Sequence, residues 1–153
     1  MSWIGQSFVF LSIAVVCALG TRMIAGEYDQ SIPCSTELLS EHEICVSTVF
    51  DDWNGDVIWI DARGRKPGKT MVSGALEISE DHWDEDSEKV AQQIFQAKVA
   101  SKKVVVFCET DACGSSHYIR KKLISNRIHD DVYVIYSGWK AIQADGRLLS
   151  SEE

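Results

Sequence analysis

Short apolar blocks alternate with polar, glycine-containing turns over most of this chain, and the blocks fall into two periods. Val104-Val105-Val106-Phe107 is a run of apolar residues, three of them β-branched, as expected of a strand buried on both faces of a parallel sheet. Val57-Ile58-Trp59-Ile60 and Val132-Tyr133-Val134-Ile135-Tyr136 read the same way, and Ile44-Cys45-Val46 and Ala75-Leu76-Glu77-Ile78 read as briefer strands. Between them the spacing is helical. Ser47 is placed to cap a helix with Val49, Phe50 and Trp53 on one side, ended by the Asn54-Gly55 turn. Asp84 is placed to cap a longer one reaching about Lys98, with Val90, Ala91, Ile94 and Phe95 inward. Gly114-Ser115-Ser116 opens a third, whose apolar face is Tyr118, Ile119, Leu123 and Ile124, with the serines as caps. After a Ser137-Gly138 turn a short helix from Trp139 closes the domain. Strands alternating with helices predict an α/β fold, a small parallel sheet flanked by helices.

The first residues follow another pattern. Residues 1–21 hold no charged side chain, and the stretch over residues 1–25 has the length of one bilayer-spanning helix, which needs about 20 residues. The competing reading is a signal peptide cleaved near Ala18-Leu19-Gly20, although the basic start of such a peptide is missing. The favoured expectation is a single-pass N-terminal anchor in a membrane, its orientation left open because Arg22 is the one nearby basic residue. Residues 26–43 are polar and acidic and read as a linker with one short helix over residues 36–41; the domain proper runs over residues 44–150.

Charge narrows the partners. A net charge of −8 and the absence of any basic run exclude a nucleic-acid surface and leave small molecules or proteins. Five cysteines in 153 residues are too few and too scattered for a disulfide-built mini-domain. Cys34 and Cys45 pair if the domain faces an oxidising compartment, and spacing alone does not establish that they do.

The chemistry concentrates at Cys108. It ends the Val104–Phe107 strand and precedes the helix opening at Gly114, the place where ligands bind in open α/β sheets and where a helix end favours an anion such as a thiolate. The loop between them is Glu109, Thr110, Asp111, Ala112 and Cys113. Cys108 is thus the candidate nucleophile, and Cys113 either a resolving thiol or a small residue with no chemistry. Cys108, Cys113 and His117 superficially match a zinc ligand run, but no fourth ligand is evident and no metal site is expected.

In this order, Ile60-Asp61-Ala62-Arg63, Ser73-Gly74-Ala75, Phe107-Cys108 and Tyr136-Ser137-Gly138-Trp139-Lys140-Ala141 resemble a rhodanese domain, over about residues 44–148. The hydrophobic leader is similar to that of membrane-tethered bacterial members. The resemblance implies a sulfurtransferase carrying sulfane sulfur as a persulfide on Cys108, taking it from a small sulfur donor and passing it to a thiol acceptor, without a cofactor. Two departures stand out. Five residues after the cysteine the family usually has Arg, and here stands Cys113; the usual Gly-His-Ile-Pro-Gly-Ala appears as Thr70-Met71-Val72-Ser73-Gly74-Ala75. Without the Arg, Glu109 and Asp111 oppose an oxyanion donor, so thiosulfate is expected to be poor, and thiolate stabilisation falls to loop N–H groups and the helix dipole. Asp61 and Arg63 are expected to brace the loop by pairing with each other or with backbone, and Trp139 to pack beneath it. Arg63, Arg65 and Lys66 either restore positive charge near Cys108 or sit in a solvated loop. His42, His82 and His129 read as surface. Two other functions stay open: a Cys108/Cys113 thiol–disulfide couple, and a non-catalytic tethered module that binds a membrane protein.

Overall fold

A computed structural model describes residues 32–148 apart from 67, 71 and 111–113. The expected anchor and the first six residues of the expected linker, 26–31, lie outside the described residues, and among the described residues no helix is long and apolar enough to cross a membrane. The strands are β1 (Glu43–Ile44), β2 (Val57–Asp61), β3 (Leu76–Glu77), β4 (Lys103–Phe107) and β5 (Val132–Ile135). They form one parallel sheet in the order β1-β5-β4-β2-β3. The helices are α1 (Trp83–Val99), α2 (Gly114–Ser125) and α3 (Gly138–Asp145), joined by short 3-10 turns at Thr36–Leu38 and Glu80–His82 and a π-helical turn at Thr48–Asp52. This is the expected α/β architecture.

Because side chains alternate along a strand, β4 feeds two cores. Val104, Val106 and Cys108 pack with Ile60, Ile78, Val132, and with Val90 and Ile94 of α1 and Ile119 and Leu123 of α2. Val105 and Phe107 point the other way, into Trp59, Ile135, Val49 of the π-helical turn, and Trp139 and Ile142 of α3. All four apolar residues of β4 from Val104 on are completely buried. Each contributes about 1.5–3 kcal/mol through burial, so the strand that carries the cysteine is the best-anchored element of the sheet.

Four local expectations need correction. Ala91 and Phe95 are exposed, Phe95 at 63 %, because the inward stripe of α1 is Trp83, Asp86, Val90, Ile94 and Ala97. Its steps of three and four residues fit a helix face; the buried carboxylate at Asp86 disguised it. Asp84 does not cap α1: the 3-10 turn runs directly into the helix, and Asp84 sits in its first turn, where its charge meets the helix dipole. Ser47 already has helical backbone angles and makes no side-chain cap to its turn.

His129 is the fourth correction, since it is buried. Its Nδ1 accepts the Asp131 N–H at 3.2 Å, and burial, offset in part by the Lys102 backbone, Asp131 and Asp130 and reinforced by Lys98, holds its pKa below the ordinary 6.5. Folding therefore favours the neutral ring. As pH falls through 6.5 the unfolded chain takes up a proton that the folded chain refuses, and stability declines. The slope approaches about 1.4 kcal/mol per pH unit for one proton. His129→Asn keeps an acceptor near Asp131 but removes the titration. Urea midpoints at pH 7, 6 and 5 are expected to fall less steeply in the variant than in wild type; parallel slopes would show that His129 does not carry the acid sensitivity.

Candidate active site

Parallel strands put all their carboxyl ends on one edge, and the segments leaving β2, β4 and β5 converge there. Asp61 ends β2 opposite Phe107, and the Ala62 N–H continues the ladder to the Phe107 carbonyl at 2.8 Å. Cys108, the next residue, is 2 % exposed and precedes α2. Its carbonyl accepts the Trp139 N–H at 2.7 Å, which ties the start of the cysteine loop to the start of α3.

That tie depends on a close approach of two backbones. Ser137 and Gly138 both have positive φ, 59° and 55°, turning the chain sharply from β5 into α3. A Cβ on Gly138 would lie 2.3 Å from the Cys108 carbonyl oxygen and 3.4 Å from the Thr110 nitrogen. Only glycine suits both the angle and the space.

Beneath the loop lies a buried ion pair. The Arg63 side chain donates to both Asp61 oxygens, Nε at 3.0 Å and Nη2 at 2.8 Å, and Nη2 also donates to the Thr70 carbonyl at 2.7 Å. Burial opposes ionisation of Asp61, but the Arg63 hydrogen bonds and charge, with Lys69 Nζ at 3.3 Å, outweigh it and hold the carboxyl below its usual range. The guanidinium lies 3.9 Å from the ring centroid of Trp139, whose ring stacks in turn on Phe107. Asp61, Arg63 and Trp139 thus form one contact chain, joined to Cys108 through the Trp139 N–H.

The remaining loop cations are engaged elsewhere. Arg65 pairs with Asp86, which also accepts from the Ser79 N–H at 3.0 Å and the Ser79 hydroxyl at 2.9 Å. Burial raises the Asp86 pKa, yet the Ser79 and Arg65 hydrogen bonds win and the net shift is downward. Lys66 Nζ lies 3.7 Å from the Glu109 carboxylate at the exposed rim. Arg63 and Arg65 therefore give their charge to carboxylates, and the loop is pinned by ion pairs.

Around the sulfur, the Cys108 thiol donates to the Thr110 carbonyl at 3.1 Å, and the Ser116 hydroxyl donates to Cys108 Sγ at 3.4 Å. The caps expected at Ser115 and Ser116 are corrected: α2 already starts at Gly114, Ser115 Oγ reaches Glu80 Oε2 at 2.8 Å, and Ser116 points inward with Ile119 and Leu123. Their spacing of three and four residues was the available signal for Ser116. Asp111, Ala112 and Cys113 lie outside the described residues. His117 pairs with Glu43 at 3.4 Å, and among the described residues no three His, Cys, Asp or Glu side chains are grouped to hold a metal ion. Cys34 and Cys45 are joined in a disulfide.

A parallel sheet flanked by helices, with a cysteine at the carboxyl edge where such sheets bind ligands, places the chain among open-sheet α/β proteins. Residues 51–145 match the rhodanese-like domain family, and since that span exceeds half of the chain, the protein belongs to it. Among solved structures it is similar to the BH2092 protein from Bacillus halodurans, with 15 % identity, 66 % of this chain and 68 % of that chain covered, and a TM-score of 0.49. No curated protein matches it.

Substituting Gly138→Ala tests the backbone contact. The positive φ and the overlap with the Cys108 carbonyl together are expected to cost about 2–4 kcal/mol. Urea unfolding measures the loss; a cost under about 1 kcal/mol would mean that the turn yields without strain.

Proposed function

We propose that the protein is a sulfurtransferase that carries sulfane sulfur on Cys108. The observation that supports this best is the cysteine's place within the rhodanese-like domain, between β4 and α2 with its backbone fixed from β5 and α3. In the reaction the Cys108 thiolate attacks the outer sulfur of a donor R–S–SH. The donor's S–S bond breaks, R–S⁻ leaves and takes a proton, and Cys108–S–SH remains. An acceptor thiolate then attacks the outer sulfur, forming its own persulfide and releasing the Cys108 thiolate. Sulfur moves without net oxidation, so neither metal nor redox cofactor enters.

Rim charge supports a thiol-bound donor over thiosulfate. Position 113 holds Cys in place of the family's Arg, and the Glu109 carboxylate faces Lys66 across an exposed 3.7 Å gap. A persulfide donor is expected to add about 32 Da, one covalently held sulfur, to wild type and nothing at position 108 of Cys108→Ser. Glu109→Gln is expected to raise thiosulfate turnover by up to about tenfold and to affect an uncharged persulfide donor less. Failure of every donor to load Cys108 in intact-mass and peptide spectra would reject the reading.

The setting proposed for this chemistry is a domain tethered by residues 1–25 on the oxidising side of a membrane. The support is the Cys34–Cys45 disulfide, a bond that persists in such compartments. Alkylation of acid-quenched cells without reductant is expected to leave Cys34 and Cys45 unlabelled. Labelling of both before reduction would place the domain in a reducing compartment instead.

A further inference from the structure

We propose that Ser116 is a positioning residue for the thiolate of Cys108, its hydroxyl supplying a side-chain hydrogen bond to the ionised sulfur. This rests on Cys108 being the nucleophile of the proposed sulfur transfer. The hydroxyl lies 3.4 Å from Sγ, and Ser116 is 2 % exposed, so the contact is sheltered from water. Its place in the helix makes the contact directional. Ser116 shares the buried face of α2 with Ile119 and Leu123, and those side chains pack in the core that also receives Cys108.

The Thr110 and Ser116 contacts at the sulfur act in opposite senses. The Thr110 carbonyl, 3.1 Å away, accepts from the thiol; once the proton leaves, that oxygen faces a negative sulfur and opposes it. Ser116 donates to the sulfur in both states and gains strength when the sulfur becomes an anion. Deprotonation thus exchanges a bond that favours the thiol for one that favours the thiolate. The persulfide step needs the same assistance in reverse, because the acceptor's attack expels the Cys108 thiolate.

Among the described residues, charged side chains around the turn have partners: Glu109 with Lys66, Glu80 with the Ser115 hydroxyl, and Arg63 with Asp61. A change at Ser116 leaves all three in place, and a comparison of variants isolates the hydroxyl. The family's usual Arg would supply a full charge near the sulfur; with Cys113 in that position, a neutral donor at 116 carries a larger share.

The test measures the pH dependence of iodoacetamide alkylation in the full chain, with the adduct localised to Cys108 rather than Cys113 or Cys17 by tandem mass spectrometry. Ser116→Ala is expected to raise the midpoint by about one pH unit, a tenfold smaller thiolate fraction below it, while plateau rates stay alike. Ser116→Thr, which keeps the hydroxyl, is expected to hold a midpoint near that of wild type, and its near-isostere Ser116→Val to follow Ala. The Thr and Val pair carries the comparison should Ala change the fold, as read by circular dichroism. Equal midpoints with and without the hydroxyl overturn the role of Ser116. The assay uses no sulfur donor, which separates the two proposals. A shifted midpoint with no persulfide from any donor rejects sulfur transfer alone, and a persulfide on Cys108 with an unmoved midpoint rejects the Ser116 role alone.

Discussion

The site depends on a guanidinium held where charge is expensive. Arg63 and Asp61 are both buried, and removing two such ions from water costs several kcal/mol each. The cost is offset by geometry: two side-chain bonds to the carboxylate, the Arg63 N–H to Asp61 Oδ1 at 2.9 Å, the bond to the Thr70 carbonyl, and Lys69 beside Asp61. Lysine would not serve at position 63. A point charge cannot grip both carboxylate oxygens, reach Thr70 and lie flat on Trp139 at once. Through Trp139 the pair reaches Cys108, since the N–H of that residue fixes the Cys108 carbonyl. Three strand ends are thereby held in one arrangement: β2 through Asp61, β4 through Cys108, and β5 through the turn before Trp139.

Elements whose burial is symmetrical were legible in the chain itself. A run such as Val104–Phe107 admits little but a central strand, and the Tyr136–Ala141 close brought Gly138 to notice. What stayed hidden was polar and long-range. Ser116 reads as a helix cap when only its neighbours are considered, because small hydroxylated residues favour such ends; its hydroxyl instead reaches a sulfur eight positions back. His129 sits in a polar stretch, His129-Asp130-Asp131, and nothing in that stretch announces that its ring is buried. Asp86 misled in the opposite direction. A carboxylate on the inner stripe of α1 makes sense only once Arg65 and Ser79, seven and more positions away, are seen to close on it. The Cys34–Cys45 pairing belongs to the same class, since spacing does not distinguish a bridge from two separate thiols.

Under the proposed sulfur transfer, the charge around Cys108 bears on the kind of donor. The loop from Arg63 to Lys69 is basic, and taken alone its four cations suggest an anion site. Each is committed: Arg63 to Asp61, Arg65 to Asp86, Lys66 to Glu109, and Lys69 to Asp61 and to Glu77 at 2.6 Å. Cations paired in this way attract a dianion weakly, because its approach must compete with a carboxylate already in contact. The thiolate itself asks for less. Under that proposal, one negative charge on a sulfur sheltered from water is met by the Ser116 hydroxyl, whereas a second charge on thiosulfate would call for the guanidinium that position 113 lacks. A donor whose transferable sulfur is carried on a thiol brings no such second charge, and its leaving group departs as a thiolate that takes up a proton in solvent.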